Sequence, residues 1–471
     1  MLDTRRQAGR LLGKLEISSA RGFKKLITVF LIAAGITFVP NYTGLEPDAM
    51  WTLFILIVAA GLWLTEAIPA FSVAILVIGL EILILGKPGG VFATAEGDWQ
   101  MFVAPWASPI MWLFLGGFVL GQAAETTGLD RMMARFVLRG FGKKPAIILL
   151  GSMGITFTFS MFMSNTATTA MMMAVMAPVI ATMNTQNPST KAFLLGIPIA
   201  ANIGGMATII GSPPNAIAAG LLSETHSINF IQWMLAGMPP AILLFFIAWI
   251  FLVVTHPSKN EVLDLRGLQW ETRTGSQLPM WKRLLVVPVF LATVLLWMSG
   301  PLHGMPTAVV SFLPVTIFAI AGILSSKDFR KLQWDVLILL AGGLSLGVAI
   351  QKTGLAQWLL GLLPMGSVGT MALAFLMAFA TMILSNFMSN TAATNILAPL
   401  GMAMAVGFEP LVVIPLALGA SAAMSLPIST PPNAIAFASG QLKSTDFLKS
   451  GLLMGILGPL IAVLWVVWLW G

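Results

Sequence analysis

The sequence predicts an all-α polytopic membrane protein with eleven transmembrane helices and two re-entrant hairpins, arranged as inverted-topology repeats that each contain one broken helix. The 471-residue chain is 57% hydrophobic and only 9% charged, whereas soluble domains carry about 25% charged residues. Apolar runs of about 15 to 25 residues, the length that crosses a bilayer, recur along the chain. Polar motifs of the first half recur in the second half, which indicates an internal duplication.

The chain begins with a basic segment, residues 1–25, that carries seven Lys and Arg residues against Asp3 and Glu16. The apolar run that follows continues to Pro40 without a small-residue cleavage site. We therefore expect an uncleaved first span rather than a signal peptide. Residues 26–49 then form this span and an external loop.

The remaining apolar runs complete the predicted set of spans. In chain order the eleven spans are 26–39, 50–66, 68–86, 106–126, 192–222, 230–254, 284–299, 306–324, 335–353, 411–440 and 450–470. Two further apolar stretches, 146–183 and 367–407, carry a polar Ser-Asn-Thr sequence in their interior. Each is predicted to be a hairpin that enters and leaves on the same side of the membrane.

The distribution of basic residues sets the predicted orientation. Threading the spans from a cytoplasmic N-terminus leaves only Lys87 and Lys352, of the 25 Lys and Arg residues, outside cytoplasmic segments. Cytoplasmic loops of membrane proteins are enriched in these residues, so we expect a cytoplasmic N-terminus and an external C-terminus. The net charge of +7 therefore reflects topology in a lipid bilayer and excludes nucleic acid as a partner.

Three motifs occur twice in the same order and at nearly the same offset. The repeated pairs are Thr127-Gly128-Leu129 with Thr353-Gly354-Leu355, Phe162 to Ala167 with Phe387 to Ala392, and Pro213 to Ala218 with Pro431 to Ala436. Such regular recurrence indicates duplication rather than coincidence.

The duplicated motifs define two repeats joined by a cytoplasmic linker. The predicted parts are repeat 1 at 50–255 with hairpin 146–183 and broken helix 192–222, the linker at 256–283, and repeat 2 at 284–471 with hairpin 367–407 and broken helix 411–440. Each repeat has five spans, an odd number, so the second copy must lie upside down. Many secondary transporters follow this plan and bind substrate between the repeats near the midplane.

The two Ser-Asn-Thr motifs, Ser164 to Thr166 and Ser389 to Thr391, lie midway along apolar stretches. An unsatisfied polar group facing lipid costs several kcal/mol, so these side chains must face protein, water or a ligand. Ser, Asn and Thr cap helix N-termini, and free N–H groups at such ends bind anions. A purely structural cap is the alternative, and two identical copies in inverted halves disfavour it.

The two Pro-Pro-Asn motifs, at 213–215 and 431–433, fall inside predicted spans. Adjacent prolines remove two backbone donors and clash with the preceding turn, so both helices should break there. The freed carbonyl groups need partners, for which we expect water or a small cation. A simple proline kink is the alternative, and the symmetric occurrence disfavours it.

Charged residues are scarce inside the spans. No Lys, Arg, His or Asp lies at the centre of any predicted span, and Glu66, Glu81 and Glu125 lie toward span ends, where snorkelling or solvation accounts for them. A Na⁺ site needs no titratable group because a hard cation accepts neutral oxygen ligands. Bound cations would also supply positive charge for an anionic ligand. The buried motifs contain no general base, which disfavours an enzyme.

The doubled motifs, together with Ser421 to Phe437 around the second broken helix, closely resemble the divalent anion:sodium symporter family over nearly the whole chain after residue 25. This resemblance implies a homodimer in which each protomer has a scaffold and a transport part that moves elevator-fashion. It implies that the substrate carboxylates are bound by Asn165, Thr166, Ser212, Asn390, Thr391, Thr430 and Pro431. It implies one Na⁺ site at Ser160, Ser164, Asn165 and Gly211, and another at Ser385, Ser389, Asn390 and Ser429. Because Gly211 and Ser429 differ, we expect the two sodium sites to be unequal.

The leading functional hypothesis is Na⁺-coupled uptake of a small dianion, with a C4-dicarboxylate such as succinate, malate or fumarate preferred, in a bacterial inner membrane. One alternative is an exchanger of dicarboxylates or tricarboxylates, and another is a sulfate symporter on the same fold. An intramembrane enzyme and a passive channel are disfavoured, the first by the missing base and the second by the inverted repeat with two broken helices.

Overall fold

The chain folds into α-helices joined by short connections. The computed structural model describes residues 22–138, 140–183, 188–223, 225–258, 263, 278–362 and 369–471. In chain order the helices are α1 (22–38), α2 (Pro47–Thr65), α3 (Ala70–Leu80), α4 (Gln100–Val103), α5 (Pro109–Thr127), α6 (Leu129–Leu138), α7 (Pro145–Ser160), α8 (Asn165–Thr182), α9 (Pro188–Gly204), α10 (Pro213–Leu222), α11 (Phe230–Thr255), α12 (Met280–Met298), α13 (Gly300–His303), α14 (Thr307–Ile320), α15 (Ser326–Arg330), α16 (Trp334–Lys352), α17 (Leu355–Leu362), α18 (Thr370–Ser385), α19 (Asn390–Met404), α20 (Glu409–Ser421), α21 (Pro431–Phe437) and α22 (Ser444–Trp470). Most of the predicted basic N-terminal segment, 1–25, and of the linker, 256–283, lies outside the described residues.

Every predicted span coincides with a helix or with a pair of helix segments. The bounds shift where a polar cap precedes the apolar run. Helix α22 begins at Ser444 rather than at 450 because the Asp446 carboxylate accepts a hydrogen bond from the Lys443 backbone N–H at 2.8 Å, which is a capping interaction. Within the described residues, eight helices are long and apolar enough to cross a membrane. The total of eleven spans stays a prediction.

Both helices that contain Pro-Pro-Asn are broken at the prolines. Helix α9 ends at Gly204, the chain makes two 3₁₀ turns, and α10 begins at Pro213. In the second half α20 ends at Ser421 and α21 begins at Pro431. Proline suits the first position of a helix because its missing N–H would have no partner there, so the motif ends one helix segment and starts the next.

Each Ser-Asn-Thr motif lies at the turn of a helical pair. Helices α7 and α8 pack together and are joined by four residues, 161–164, so that α8 begins at Asn165. Helices α18 and α19 repeat this arrangement, and α19 begins at Asn390. The polar motif therefore occupies the helix start that the sequence predicted, and re-entry on the same side of the membrane stays a prediction.

Two short helices follow the repeated Thr-Gly-Leu motif and have no counterpart in the predicted spans. Gly128 (φ 65°) and Gly354 (φ 76°) adopt the left-handed conformation that ends many helices and that glycine tolerates. The amphipathic helices α6 and α17 begin immediately afterwards. Helix α6 mixes polar and apolar residues, and α17 is largely apolar but only eight residues long, so neither forms an apolar run long enough for a search for spans to find.

The interpretation of Glu81 as a residue solvated near a span end is wrong. Glu81 begins a π-helical segment, Glu81–Gly86, that continues α3, and its side chain is fully buried. Its carboxyl contacts the Ser345 hydroxyl of α16. Glu66 and Glu125 are exposed, as solvation requires. Position along a span does not determine which way a side chain faces.

Helix contacts divide the chain into two compact units. The first unit comprises Met1–Trp106 and Ile338–Met365, which include α1 to α4, most of α16, and α17. The second unit comprises Ala107–Leu337 and Gly366–Gly471, with α5 to α15 and α18 to α22. Both helical pairs, both broken helices and all predicted site residues therefore belong to the second unit.

The predicted topology can be tested with a dual reporter. A reporter fused after Gly471 should be active on the external side, and the same reporter fused near Lys143 should be active in the cytoplasm, because basic residues favour the cytoplasmic side. Fusions that report the same side would contradict the eleven-span threading.

Candidate binding site at the broken helices

Four helix starts meet in the second unit. These are the starts of α8 and α19 at the helical-pair turns, and of α10 and α21 at the breaks. Helix α8 packs against α21, and α10 packs against α19. Each pair therefore contacts the broken helix of the opposite repeat, and the predicted residues of both halves gather in one region.

The first cluster forms where the turn after α7 touches the first break. The Asn165 amide contacts the Ser160 hydroxyl, and Ser160 Oγ donates to the Ala201 carbonyl at 2.8 Å. With its nitrogen directed inward, Asn165 donates to the Gly211 carbonyl at 3.1 Å and to that of Ala201 at 3.3 Å. The structure thus brings together Ser160, Asn165 and Gly211, three of the four residues predicted for one Na⁺ site. Ser164, the fourth, is the N-cap of α8.

The donor set of this cluster fits a sodium ion. A half-turn of the Asn165 amide would place its oxygen beside the same two carbonyl oxygens and the Ser160 hydroxyl. The result is a set of neutral oxygen ligands of the kind that hard cations accept. The carbonyl oxygens of Ala201 and Gly211 can therefore either accept hydrogen bonds from the amide nitrogen or coordinate a cation in its place.

Gly205 packs directly against this cluster and was not among the predicted residues. A Cβ at this position would lie 2.7 Å from Asn165 Oδ1 and 2.9 Å from the Gly211 carbonyl oxygen. Gly211 is equally confined, because its Cβ would lie 2.7 Å from the Gly205 carbonyl oxygen. The two glycines let the chain fold back closely enough to present the Gly211 carbonyl to Asn165.

Thr208 ties the first break to the turn. It is fully buried, its hydroxyl donates to the Met161 carbonyl, and it accepts from the Gly211 N–H at 3.0 Å. Because one hydroxyl bridges both segments, the Gly211 carbonyl keeps its place beside Asn165. The position of Thr208 inside an apolar run is the sequence feature that could have indicated this role.

The second cluster contains two buried side-chain oxygen atoms for which the described residues provide no hydrogen-bond partner. Within the described residues, the buried Ser385 Oγ and Asn390 Oδ1 have no hydrogen-bond partner. An unpartnered buried acceptor costs about 1–3 kcal/mol, which a bound cation would offset. Ser389 is exposed and its hydroxyl accepts from the Ala392 N–H at 3.2 Å as the N-cap of α19. The orphan oxygens therefore also fit a sodium ion.

Ser429, predicted as the fourth ligand of the second site, contacts Asn386. Ser429 Oγ donates to Asn386 Oδ1 at 3.0 Å, and that oxygen also accepts from the Ser425 N–H at 2.9 Å. The residue that corresponds to Asn386 in the first half is Met161, at the offset that aligns Asn165 with Asn390. The backbone carbonyl of Asn386 also lies 3.3 Å from Ser429 Oγ. A side-chain carboxamide is thus added to the backbone carbonyl as an anchor of the second break, and the two clusters are built differently.

At the breaks, two hydrogen bonds among the described residues join the two halves. Asn202, near the end of α9, donates through Nδ2 to the Thr430 hydroxyl at 3.1 Å. Ser421, at the end of α20, donates to the Ser212 hydroxyl at 3.3 Å. All four side chains are buried. Ser212 and Thr430, both predicted to bind substrate, are therefore each held by the opposite repeat.

The remaining predicted substrate residues lie in the first turns of their helices. Thr166 and Thr391 are half-buried, and Pro431 is exposed at the start of α21. An open cavity of about 100 Å³ reaches Ser164 and is bordered by Gln122 and Lys331. The first turn of α8 is therefore accessible from one side of the second unit.

The asparagines of the Pro-Pro-Asn motifs correct, for four carbonyl groups, the prediction that water or a cation satisfies the carbonyls freed at the breaks. Asn215 Nδ2 donates to the Gly205 carbonyl at 2.8 Å and to the Thr208 carbonyl at 2.7 Å. Asn433 Nδ2 donates to the carbonyls of Met424 and Leu426 at 2.9 and 3.0 Å. The motif thus carries its own donor, because an asparagine one turn into the restarted helix can reach back to the break.

Replacing Asn215 by alanine should reduce thermal stability in detergent. Two buried carbonyl groups would lose their donor, at a cost of about 1–3 kcal/mol each. The comparison variant is Asn229→Ala, which removes a cap at the half-buried start of α11, where water can replace it. An unchanged melting temperature for Asn215→Ala would show that these contacts do not hold the break.

No charged residue occurs in the segments that build the site. The sequences 160–166, 201–215, 385–391 and 420–433 contain no Asp, Glu, Lys, Arg or His. Their polar groups are hydroxyls, amides, carbonyls and the N–H groups of helix starts. Such groups can hold cations and anions together, but they cannot act as a nucleophile with its base.

Comparison with known proteins identifies the family. The family model described as the sodium:sulfate symporter transmembrane region matches residues 20–471. The chain belongs to the divalent anion:sodium symporter family. The chain is similar to the sodium-dependent dicarboxylate transporter SdcS of Staphylococcus saprophyticus, with 31% identity over 94% of this chain and 91% of the relative. It is also similar to the inorganic phosphate transporter PHO87 of Saccharomyces cerevisiae, with 28% identity over 87% of this chain and 45% of the relative.

Solved structures support the fold. The crystal structure of the Alcanivorax borkumensis YdaH transporter matches 90% of this chain and 98% of its own with a TM-score of 0.55 at 11% identity. Neisseria gonorrhoeae MtrF matches 85% of this chain and 95% of its own with a TM-score of 0.53 at 10% identity. The all-helical fold and membership of the symporter family confirm the predicted class of an integral membrane transporter rather than an enzyme.

Several residues of this candidate site were not predicted from the sequence. They are Ala201, Asn202, Gly205, Thr208, Asn386 and Ser421. Asn202 and Thr208 interrupt apolar runs and could have been found on that ground. Asn386 has no polar counterpart in the first half, so a comparison of the two repeats gives no indication of its role.

Proposed function

We propose that the protein is a Na⁺-coupled symporter that takes up small dianions, preferably C4-dicarboxylates such as succinate, malate or fumarate. The observation that carries this proposal is the pair of neutral oxygen clusters at the two Ser-Asn-Thr turns. Each cluster has oxygen atoms suited to a cation, and each adjoins a helix start suited to an anion.

Sodium coupling follows from the charge balance of the site. A dianion entering segments without Lys or Arg needs positive charge, and cations bound beside it supply that charge. Substrate and sodium then strengthen the binding of each other by linkage. The family name and the names of the SdcS relatives support sodium as the coupling ion.

A ligand with two like ends fits the duplicated design. Asn165 with Thr166, and Asn390 with Thr391, offer the same pair of side chains from each half, and each pair can serve one carboxylate. Relatives at 30–31% identity that are named sodium-dependent dicarboxylate transporters support this substrate class. The bond from Asn202 to Thr430 and that from Ser421 to Ser212 would set the spacing between the two ends.

An inorganic oxyanion is the second candidate substrate. The description of the family model names sulfate, and the name of the yeast relative PHO87 includes inorganic phosphate. A compact tetrahedral anion would engage both helix starts of one cluster rather than span two clusters. Competition for succinate uptake by excess sulfate or phosphate distinguishes this candidate, whereas competition by malate and fumarate favours dicarboxylates.

We propose further that the protein works as a homodimer in the plasma membrane of a bacterium and moves its transport part elevator-fashion. The division of the chain into two compact units supports a protomer of two parts. The bacterial SdcS relatives support the membrane. In this arrangement the inverted repeats place the site near the midplane, with the N-terminus cytoplasmic and the C-terminus external.

Concentrative uptake of labelled succinate into proteoliposomes should require an inward Na⁺ gradient. Replacing Na⁺ by K⁺ or choline should stop net uptake and weaken substrate binding. A pH gradient without Na⁺ should drive none, because the clusters contain no titratable group. Any pH effect should follow the second pKa of the substrate itself.

Proteoliposomes with the Asn390→Ala variant provide the control for leak and nonspecific binding. Concentrative uptake that continues in choline would contradict sodium coupling. If that uptake also required a dicarboxylate inside the vesicles, the protein would be an exchanger instead.

A further inference from the structure

Glu81 is a buried carboxyl group that the transport site does not use. It lies in the first unit, at the first residue of the π-helical segment that continues α3, and none of its side chain is exposed. π-Helical turns inside helices often mark functional positions. Among the described residues its hydrogen-bonding partner is the Ser345 hydroxyl of α16, and its Oε1 has no partner.

The oxygen atoms around Ser345 require one more hydrogen than the serine can supply. Ser345 Oγ lies 2.8 Å from the Phe102 carbonyl oxygen and also within hydrogen-bonding distance of Glu81 Oε2. A hydroxyl has a single hydrogen, and a carbonyl oxygen only accepts. If Ser345 donates to Phe102, the second contact needs a hydrogen from Glu81, and only a protonated carboxyl has one.

Among the described residues, Glu81 forms no ion pair that would neutralise its carboxylate. The π-helical segment packs against α2, α3 and α4, and Glu81 contacts α16 through Ser345. The charged residues of these helices lie only at helix ends, and they are Asp48, Asp335 and Lys352, while Lys87, which follows the π-helical segment, is exposed. Asp98, in the connection before α4, accepts from the Thr94 and Ala95 N–H groups. An unpaired buried charge is costly, and such a group holds its proton instead.

We propose that Glu81 is a proton-binding site in the first unit, where the neutral acid donates to Ser345 and Ser345 donates to the Phe102 carbonyl. The chain of two hydrogen bonds joins the π-helical segment, α16 and α4. Once the proton is lost, the single hydrogen of Ser345 can serve only one of its two neighbours. Either the Glu81 carboxylate or the Phe102 carbonyl then faces the serine oxygen with no hydrogen between the two oxygen atoms. Deprotonation therefore loosens the contact among these three segments.

Infrared spectroscopy of the reconstituted wild-type protein and Glu81→Gln tests this directly. At neutral pH the wild type should show the carbonyl stretch of a protonated carboxylic acid that Glu81→Gln lacks, and the difference between the two spectra isolates this group from every other acid of the chain. The glutamine amide can donate to Ser345 as the acid does, so the variant should fold. An identical carboxylic-acid region in both proteins would overturn the proposal.

Ser345→Ala provides a second variant that keeps the carboxyl but removes its acceptor. The carboxylic-acid band should persist and move to higher frequency because the acid loses its hydrogen bond. This measurement also decides the matter if Glu81→Gln does not fold. A band unchanged in Ser345→Ala would contradict the proposed hydrogen-bond chain.

The pH dependence of thermal stability separates a proton from a bound sodium ion at Glu81. The folded protein holds a proton that the unfolded chain releases, so wild-type stability should fall as pH rises through and beyond the range in which an unfolded glutamate ionises, and should level off once the folded protein also loses the proton. Glu81→Gln should lack this decline. A wild type whose stability instead rises with Na⁺ concentration, to an extent that Glu81→Gln abolishes while Asn165→Ala retains it, would mean that the carboxylate binds sodium and would overturn the proposal.

Discussion

Replacing Asn165 or Asn390 by alanine is expected to reduce Na⁺-driven uptake to background while the protein still folds. Asn165 contacts Ser160 and the Gly211 carbonyl in the first cluster, and Asn390 presents an unpartnered oxygen in the second. Each side chain begins a helix beside the proposed anion position. Each substitution therefore removes a cation ligand and a substrate donor at once.

Uptake of labelled succinate, measured beside the melting temperature and elution profile, tests this expectation. Thr182→Ala is the matched control, because Thr182 lies exposed at the opposite end of α8. It should transport normally. Full uptake by either asparagine variant would remove that turn from the site.

Replacing Gly205 by alanine is expected to abolish sodium-dependent uptake although residue 205 contributes no side chain to the site. The added methyl group would lie within 2.7–2.9 Å of the Asn165 amide and the Gly211 carbonyl oxygen, closer than carbon and oxygen atoms can approach. Since both neighbours belong to the first cluster, either one must move. The cation ligands are then displaced by a fraction of an ångström or more.

A sodium titration of uptake separates this effect from general damage. Gly154→Ala is the matched control in α7, where the new methyl would meet only Phe245 Cζ at an ordinary 3.9 Å. Its sodium response should equal that of the wild type. A normal response in Gly205→Ala would mean that the cluster tolerates expansion and that the close packing has no functional role.

The helix positions followed from local physics. Long apolar runs must be helical in a bilayer because each backbone polar group needs an internal partner, and this constraint needs no knowledge of neighbouring segments. Paired prolines favour a break, and the chain breaks at 213–214 and at 431–432, whereas α11 continues through Pro239 and Pro240. Helices α6 and α17 were not predicted, because a short amphipathic helix is stabilised by packing against neighbouring helices rather than by its own composition.

The site was predictable where a polar motif recurs in both copies, even where single residues within it differ, as Gly211 and Ser429 do. The Ser-Asn-Thr turns stood out because they occur twice, whereas Asn386 corresponds to Met161 and was concealed. Gly205 acts by having no side chain, and its importance depends on how closely Asn165 approaches it. Such roles arise from tertiary packing, which no spacing along the chain encodes.

The freed carbonyl groups illustrate the same limit. Proline chemistry correctly indicated that they exist, but not that Asn215 and Asn433 would satisfy them. A donor two residues after a break is visible in the sequence, yet the path of the backbone decides whether it points back. Glu81 likewise required α4 and α16 to be placed before its burial was known.

The two hydrogen bonds that join the halves at the breaks bear on how the chain originated. The offset that aligns Pro213 with Pro431 also aligns Ser212 with Thr430 and brings Asn202 next to the position of Ser421. The end of one helix thus binds the break of the other copy, and the reverse holds as well. Reciprocal contacts of this kind are typical of an isologous two-fold interface. A half-length ancestor that assembled as a dimer in opposite orientations would have made the contact twice, and fusion would have preserved it. One half expressed alone would therefore lack the partner that holds its break.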